Sequence, residues 1–278
     1  MLDRCVDTTK PGGKNMIKVF VSGASGNVGS TVIRTIQTTE GFELVGGWCL
    51  EGGEDLGVLA KIKTLGIVAS GDMDKGLTEA KPDVVIDFSA ATVLEENMKL
   101  YLKHGLNVVV GTTGLTDEQL DPYKKEVAAK GLRWAVIPNY GLGISLVSEF
   151  IKKAREFYPF VTITDQHTNE MANAPSGTAQ ALAKAASAGE MGEVRSKEVY
   201  NGVLGAKIEG VQVFSQRLPW PGPYSAHIIT LARKDELIKI SVEDHTSDIY
   251  MDGVFLTAGK IGKAPAGTFF RGLAEVMD

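Results

Sequence analysis

Cysteine is almost missing from this chain: Cys5 and Cys49 are the only two in 278 residues. Two thiols cannot build a disulfide framework or a zinc site, so a reducing, cytoplasmic setting is expected and no metal is expected. Basic residues are not in excess either. Lysine and arginine number 29 against 34 acidic residues, a formal charge of −5. That balance argues against a nucleic-acid partner or an anionic membrane surface, both of which need concentrated positive charge. No apolar run approaches the ~18 residues of a membrane span. Residues 1–15 lack the apolar segment of a secretory signal. Histidine is scarce, with four in the chain, so each one invites a question about its role.

What is present is ample core material, 44% hydrophobic residues with 23% charged. The length suits one large domain or two smaller ones. The run at 17–22 (IKVFVS) is apolar, β-branched and bounded by glycine, which predicts a buried strand. A glycine turn and a helical stretch over 28–38 follow, then apolar runs at 43–48, 84–88, 107–110 and 134–137 separated by helical periodicity. Strands alternating with helices predict a Rossmann-type doubly wound parallel sheet. After Asn139 the pattern changes. A helix near 144–157, a strand at 160–165 and a helix near 177–188 precede three β-patterned runs from Val211 onward. They predict a second α+β domain with a mixed, mostly antiparallel sheet. The expected division is an N-terminal extension over 1–15, a dinucleotide-binding domain over 16–139 and a substrate-binding and oligomerisation domain over 140–250. Residues 251–278 are expected to return to the first domain.

Gly23, Gly26 and Gly29 form a G-x-x-G-x-x-G turn between the first strand and the first helix. Glycines there allow a tight turn and close approach to a pyrophosphate, and the helix N-terminus adds free N–H groups. Gly23, Ser25, Gly26, Asn27 and Val28 are therefore candidate cofactor ligands. Glu51 follows the second strand and fits either the acid that binds a ribose hydroxyl or an ordinary solvated loop residue. NADH and NADPH both remain open. Two more loops fall at the carboxyl ends of predicted parallel strands, Asp87–Ala91 with Phe88, and Gly111–Gly114 with Thr113. Their small residues and hydroxyls suit a nicotinamide ring, or else they are ordinary turns with Asp87 as a helix cap.

The most specific stretch is DQHTNEMANAPSGTA over 165–179. Its Ser176-Gly177-Thr178 turn opens an alanine-rich helix and presents N–H groups and hydroxyls to an anion. His167, eight residues before that turn's proline-serine pair, is the candidate proton donor, since imidazole exchanges protons near neutral pH. The bland alternative is a loop histidine held by local hydrogen bonds.

With GASGNVG, DFS, GTTG, Pro138-Asn139-Tyr140 and APSGTA in place, the chain resembles the 4-hydroxy-tetrahydrodipicolinate (dihydrodipicolinate) reductase family from Met16 to the C-terminus. The resemblance implies an NADPH- or NADH-dependent reductase transferring hydride to a cyclic imine-type carboxylate in lysine and diaminopimelate biosynthesis, assembled as a homotetramer. It implies His167 as the proton donor, a substrate carboxylate on Thr168, Ser176, Gly177 and Thr178, and cofactor contacts that extend to Asn139 and Tyr140. The family pattern E-x-H-H-x-x-K-x-D-A-P-S-G-T-A is only half kept. Asp165 stands for the glutamate, Thr168 for the second histidine, Met171 for the lysine and Asn173 for the aspartate.

A thioether can neither donate a proton nor pair with a carboxylate. Losing such a contact costs roughly 2–4 kcal/mol, or ~30- to 1,000-fold in rate. The family's late arginine is also missing from 241–252, where Asp244, His245 and Asp248 stand. A diverged imine reductase with another substrate and a non-catalytic dinucleotide-binding protein are the alternatives. Among the remaining candidates, His104 is expected to cap a helix end and His227 to be structural. His245 is expected at a surface or interface, Arg217 as a solvated or interface charge, and Trp220 and Tyr224 as aromatic packing.

Overall fold

The computed structural model describes residues 16–171, 173–219 and 225–278. The 1–15 extension, Trp220 and Tyr224 lie outside them. Six parallel strands form the first sheet: β1 (Ile17–Ser22), β2 (Phe42–Trp48), β3 (Val84–Asp87), β4 (Asn107–Val110), β5 (Trp134–Val136) and, far along the chain, β11 (Phe269–Phe270). Their order is β11-β5-β4-β3-β1-β2. Four consecutive residues of β3 are fully buried, as a parallel sheet covered on both faces requires. The helix Asn27–Ile36 buries Val32, Ile33 and Ile36 on one face, each worth roughly 1.5–3 kcal/mol. On that face the helix Met251–Ile261 contributes Met251, Val254 and Ala258 to the same core.

The strand order reverses at β1. The chain runs from β1 to β2 on one side, then crosses to β3 on the other. Such a switch point opens a crevice beyond the carboxyl ends of the two diverging strands, where ligands bind in open α/β sheets.

The second sheet contains β6 (Phe160–Thr168), β7 (Ala206–Ile208), β8 (Val211–Leu218), β9 (Ser225–Arg233) and β10 (Glu236–Asp244), ordered β10-β9-β6-β8-β7. Three of its neighbouring pairs are antiparallel, and β6 with β8 is parallel. Val161 and Ile163 of β6 join Ile229 and Leu231 of β9 beneath Ile151 and Leu182 of the covering helices. Alternation along β6 therefore points Asp165 and His167 toward the helix Gly177–Ala185, with Asp165 fully buried. No helix among the described residues is long and apolar enough to cross a membrane.

Candidate active site

The glycine turn sits at the switch point. Gly23 has φ of +81°, and a Cβ there would lie 2.3 Å from the Phe88 carbonyl oxygen. A Cβ on Gly29 would lie 2.0 Å from the Gly23 carbonyl oxygen. Only glycine lets the turn, the helix and the Phe88 loop meet this closely. The helix that follows has Gly26 as N-cap with no capping side chain, so its first N–H groups and partial positive charge are left for an anion. These features fit a dinucleotide pyrophosphate. Ser25 donates to Glu51 over 3.3 Å, which places a carboxylate beside the turn at the end of β2.

Asp87 is a clamp, not the helix cap of the alternative ordinary-turn reading. The N-cap of the helix Ala91–His104 is Ala90, without a side-chain bond. Asp87 is fully buried and accepts from Tyr101 at 2.6 Å, Thr112 at 2.7 Å, and the Ser89 hydroxyl at 2.7 Å and N–H at 2.9 Å. One carboxylate thus ties the loop after β3 to the loop after β4. The result brings Phe88 and Gly111 together, and Phe88 meets the Tyr140 ring edge-on at 6.0 Å. The Tyr140 hydroxyl is spent on the carbonyls of Val110 (3.1 Å) and Ala135 (3.3 Å), so only its ring and backbone are left to a ligand.

A cleft of about 550 Å³ lies between the two sheets. Val28, Phe88, Gly111, Thr113, Asn139 and Tyr140 line it from the cofactor side. His167, Thr168, Ser176, Gly177 and Thr178 line it from the other, with Met171 and Glu170 at the same wall. Gly23, Ser25, Gly26 and Asn27 lie outside this cleft's lining, at the glycine turn that continues from Val28.

Ser176 caps the helix Gly177–Ala185, accepting from the Ala179 N–H at 3.2 Å. Its own N–H is committed to Asp165 Oδ2 at 3.0 Å. The same carboxylate gathers the surrounding strands: Ser215 donates to Oδ2 at 3.2 Å and Arg217 Nη2 pairs with it at 3.2 Å. His167 Nδ1 lies 2.7 Å from Oδ1, close enough for an ion pair although the alignment falls short of a hydrogen bond. His227, opposite Asp165 on β9, places Nε2 3.6 Å from Oδ1 and 3.2 Å from the Ser176 hydroxyl.

Burial opposes the charge on Asp165. The His167 imidazole and the N–H and hydroxyl of Ser176 outweigh it and hold the carboxyl well below the usual range. Burial pushes the His227 imidazole down to about 4, against the pull of Asp165 and with His167 adding to the fall, so this ring is neutral at pH 7.

Two sequence expectations are corrected here. Arg217 is no solvated charge: it sits at the register position of His167 on β8, pairs with Asp165 and donates to the Asn173 carbonyl at 2.6 Å. His227, expected to be structural, lies buried in the polar cluster under the cleft. His104 does not cap its helix, where Gly105 holds the left-handed end position; its Nε2 pairs with Asp74 at 2.5 Å. His245 is exposed, while Asp244 is buried and accepts from Ser225 at 2.7 Å.

A glycine turn at the switch point, facing a second domain across a shared cleft, defines a two-domain dinucleotide-dependent oxidoreductase. The chain belongs to the dihydrodipicolinate reductase family, matching its N-terminal model over residues 17–140 and its C-terminal model over 143–277. It is 31% identical to the 4-hydroxy-tetrahydrodipicolinate reductase of Listeria innocua over 94% of this chain and the whole of that relative. The reductase of Lactiplantibacillus plantarum is likewise 31% identical, over 89% of this chain and 95% of the relative. Among solved structures, a dipicolinate-bound dihydrodipicolinate reductase from Paenisporosarcina sp. TG-14 superposes with a TM-score of 0.78 at 26% identity, covering 94% of this chain and 99% of that one. An amine dehydrogenase from Mycobacterium smegmatis shares the fold at 15% identity, with a TM-score of 0.64 over 91% of this chain and 94% of that one.

Proposed function

We propose that this protein transfers hydride from NADH or NADPH to a cyclic imine-type carboxylate, the 4-hydroxy-tetrahydrodipicolinate reductase reaction of lysine and diaminopimelate biosynthesis. The observation that carries this reading is the shared cleft, in which Phe88, Gly111 and Thr113 face His167 and the Ser176–Thr178 turn. Reduced nicotinamide supplies the hydride when bound. The chain's own part is to hold one substrate carboxylate on the N–H groups that open the helix Gly177–Ala185, to place the ring across the cleft from Phe88, and to deliver a proton from His167.

A second reading has one observation in its favour. Met171 lines the cleft, and among the described lining residues none is lysine or arginine. This wall suits a substrate with fewer negative charges than a dicarboxylate. The uncovered face of the second sheet, with Thr162, Thr164, Phe214 and Ile228 only partly buried, supports assembly as a homotetramer.

The test is a steady-state assay with each cofactor against enzymatically generated dihydrodipicolinate and against monocarboxylate cyclic imines. Turnover of the dicarboxylate at ~1–10³ s⁻¹ supports the first reading, and turnover of monocarboxylates alone supports the second. Tight cofactor binding without turnover of any imine would overturn both.

A further inference from the structure

We propose that Asp165 is a positioning residue for the reduction: its single buried carboxylate fixes the ring of His167 and the Ser176 turn relative to each other. The inference rests on the reading of His167 as proton donor. Oδ1 faces His167 Nδ1 at 2.7 Å, while Oδ2 accepts the Ser176 N–H at 3.0 Å. The group that delivers the proton and the turn that holds the substrate carboxylate are thus joined through one side chain that is fully buried.

The chemistry follows from which ring nitrogen is engaged. A carboxylate beside Nδ1 favours the tautomer with a proton there. Nδ1 is buried, and the ring lines the cleft, so Nε2 is the nitrogen left to face substrate. During the reaction the Nε2–H bond breaks and its proton goes to the reduced substrate. The ring is left neutral with its remaining proton on Nδ1, beside Asp165. Asp165 keeps its negative charge throughout.

The neighbours of the carboxylate support a fixed part. Arg217 from β8 and Ser215 from the same strand hold Oδ2 at 3.2 Å each. His227 from β9 stands 3.6 Å from Oδ1. With two strands and the helix N-cap anchoring it, the carboxylate cannot swing away from His167 without breaking other bonds. Asp165, His167 and His227 also offer ligand atoms within 4.8 Å of one another, a spacing that would suit a metal ion. The Arg217 guanidinium already supplies the opposing charge at this carboxylate, which favours the positioning role.

Two readouts test the proposal on the full-length protein. Nitrogen-15 NMR of histidine-labelled wild type is expected to find the neutral His167 ring protonated at Nδ1, and Asp165→Asn is expected to lose that preference. A wild-type ring protonated at Nε2 would overturn the proposal, and this measurement needs neither a substrate nor a folded variant. In steady state, Asp165→Asn is expected to lower kcat about 10²-fold with cofactor Kd unchanged, and Asp165→Glu to recover kcat to within tenfold of wild type. A folded Asp165→Asn that keeps kcat within threefold would overturn the proposal. So would a stoichiometric divalent ion whose chelation abolishes activity. A wild type that reduces no imine sinks the proposed function instead, and the NMR result then still decides whether Asp165 fixes the His167 tautomer.

Discussion

Asn139 donates from Nδ2 to the Thr178 hydroxyl over 3.0 Å, joining the segment that follows β5 to the turn that opens the substrate-side helix. Asn139 Oδ1 also accepts the Gly141 N–H at 2.7 Å. One amide therefore sets both the chain's exit from the first sheet and the placement of the carboxylate-binding turn. Asn139→Ala is expected to raise KM for the imine about 5- to 10-fold, the worth of one hydrogen bond of ~1 kcal/mol or slightly more, with a smaller change in kcat. A KM within twofold of wild type would show that the turn is placed without this bond.

Glu51 next to Ser25 at 3.3 Å puts a negative charge beside the glycine turn just after β2, the region where such folds meet the adenosine ribose, with no lysine or arginine in the sequence between it and Lys61. The expected outcome is a kcat/KM for NADH at least ~10-fold above that for NADPH, since a like charge costs on the order of 1.4 kcal/mol per tenfold. Glu51→Arg is expected to narrow or reverse that ratio. Equal use of both cofactors by the wild type would assign Glu51 to the solvent.

Asp87 tests the clamp. Asp87→Ala leaves the Tyr101 hydroxyl without its buried acceptor, while the Asn97 amide keeps the hydroxyls of Ser22 and Ser89. An orphaned buried donor costs ~1–3 kcal/mol, and chemical denaturation is expected to register a loss in that range. A loss below ~1 kcal/mol would mean that the two loops are held by other contacts.

These residues mark where the sequence could and could not be read. The strands of the first sheet announce themselves because residues buried on both faces form continuous apolar runs, as at 84–86 and 108–110. The glycine turn is legible for the same local reason. Arg217 was not, because its meaning depends on β8 lying parallel to β6 in the register that sets it beside His167. Asp87 could have been found from Asn97 and Tyr101, polar groups four apart on the buried face of the helix Ala91–His104; such a face needs an acceptor beneath it. β7 and the two-residue β11 are too short to carry a periodic signal.

The pH dependence of stability follows from His227. Its imidazole falls from 6.5 to about 4 on folding, so between those values the unfolded chain binds the extra proton and stability rises with pH. Acidification through that window is expected to remove up to ~3 kcal/mol, at ~1.4 kcal/mol for each pKa unit. Asp165 acts in a lower window. Its depressed pKa gives stability that is complete above about 3.8 and lost only as pH falls toward its folded value. Urea denaturation from pH 7 to 4 is expected to give a flatter profile for His227→Gln than for wild type. Parallel profiles would move the acid sensitivity elsewhere.

Met171 stands on the cleft wall at 38% exposure. Met171→Lys is expected to raise kcat/KM for the dicarboxylate by ~30- to 1,000-fold, the reciprocal of losing a charged donor. No gain would place the second carboxylate away from this wall.

The most direct measurement follows the hydride itself. Protein mixed with nicotinamide cofactor deuterated at the transferable position and with enzymatically generated dihydrodipicolinate is quenched, and the product is weighed by mass spectrometry. A reductase working through this cleft yields product carrying a single deuterium, at a rate that collapses in His167→Gln. Product without label, or labelled product formed equally fast by His167→Gln, would contradict the account.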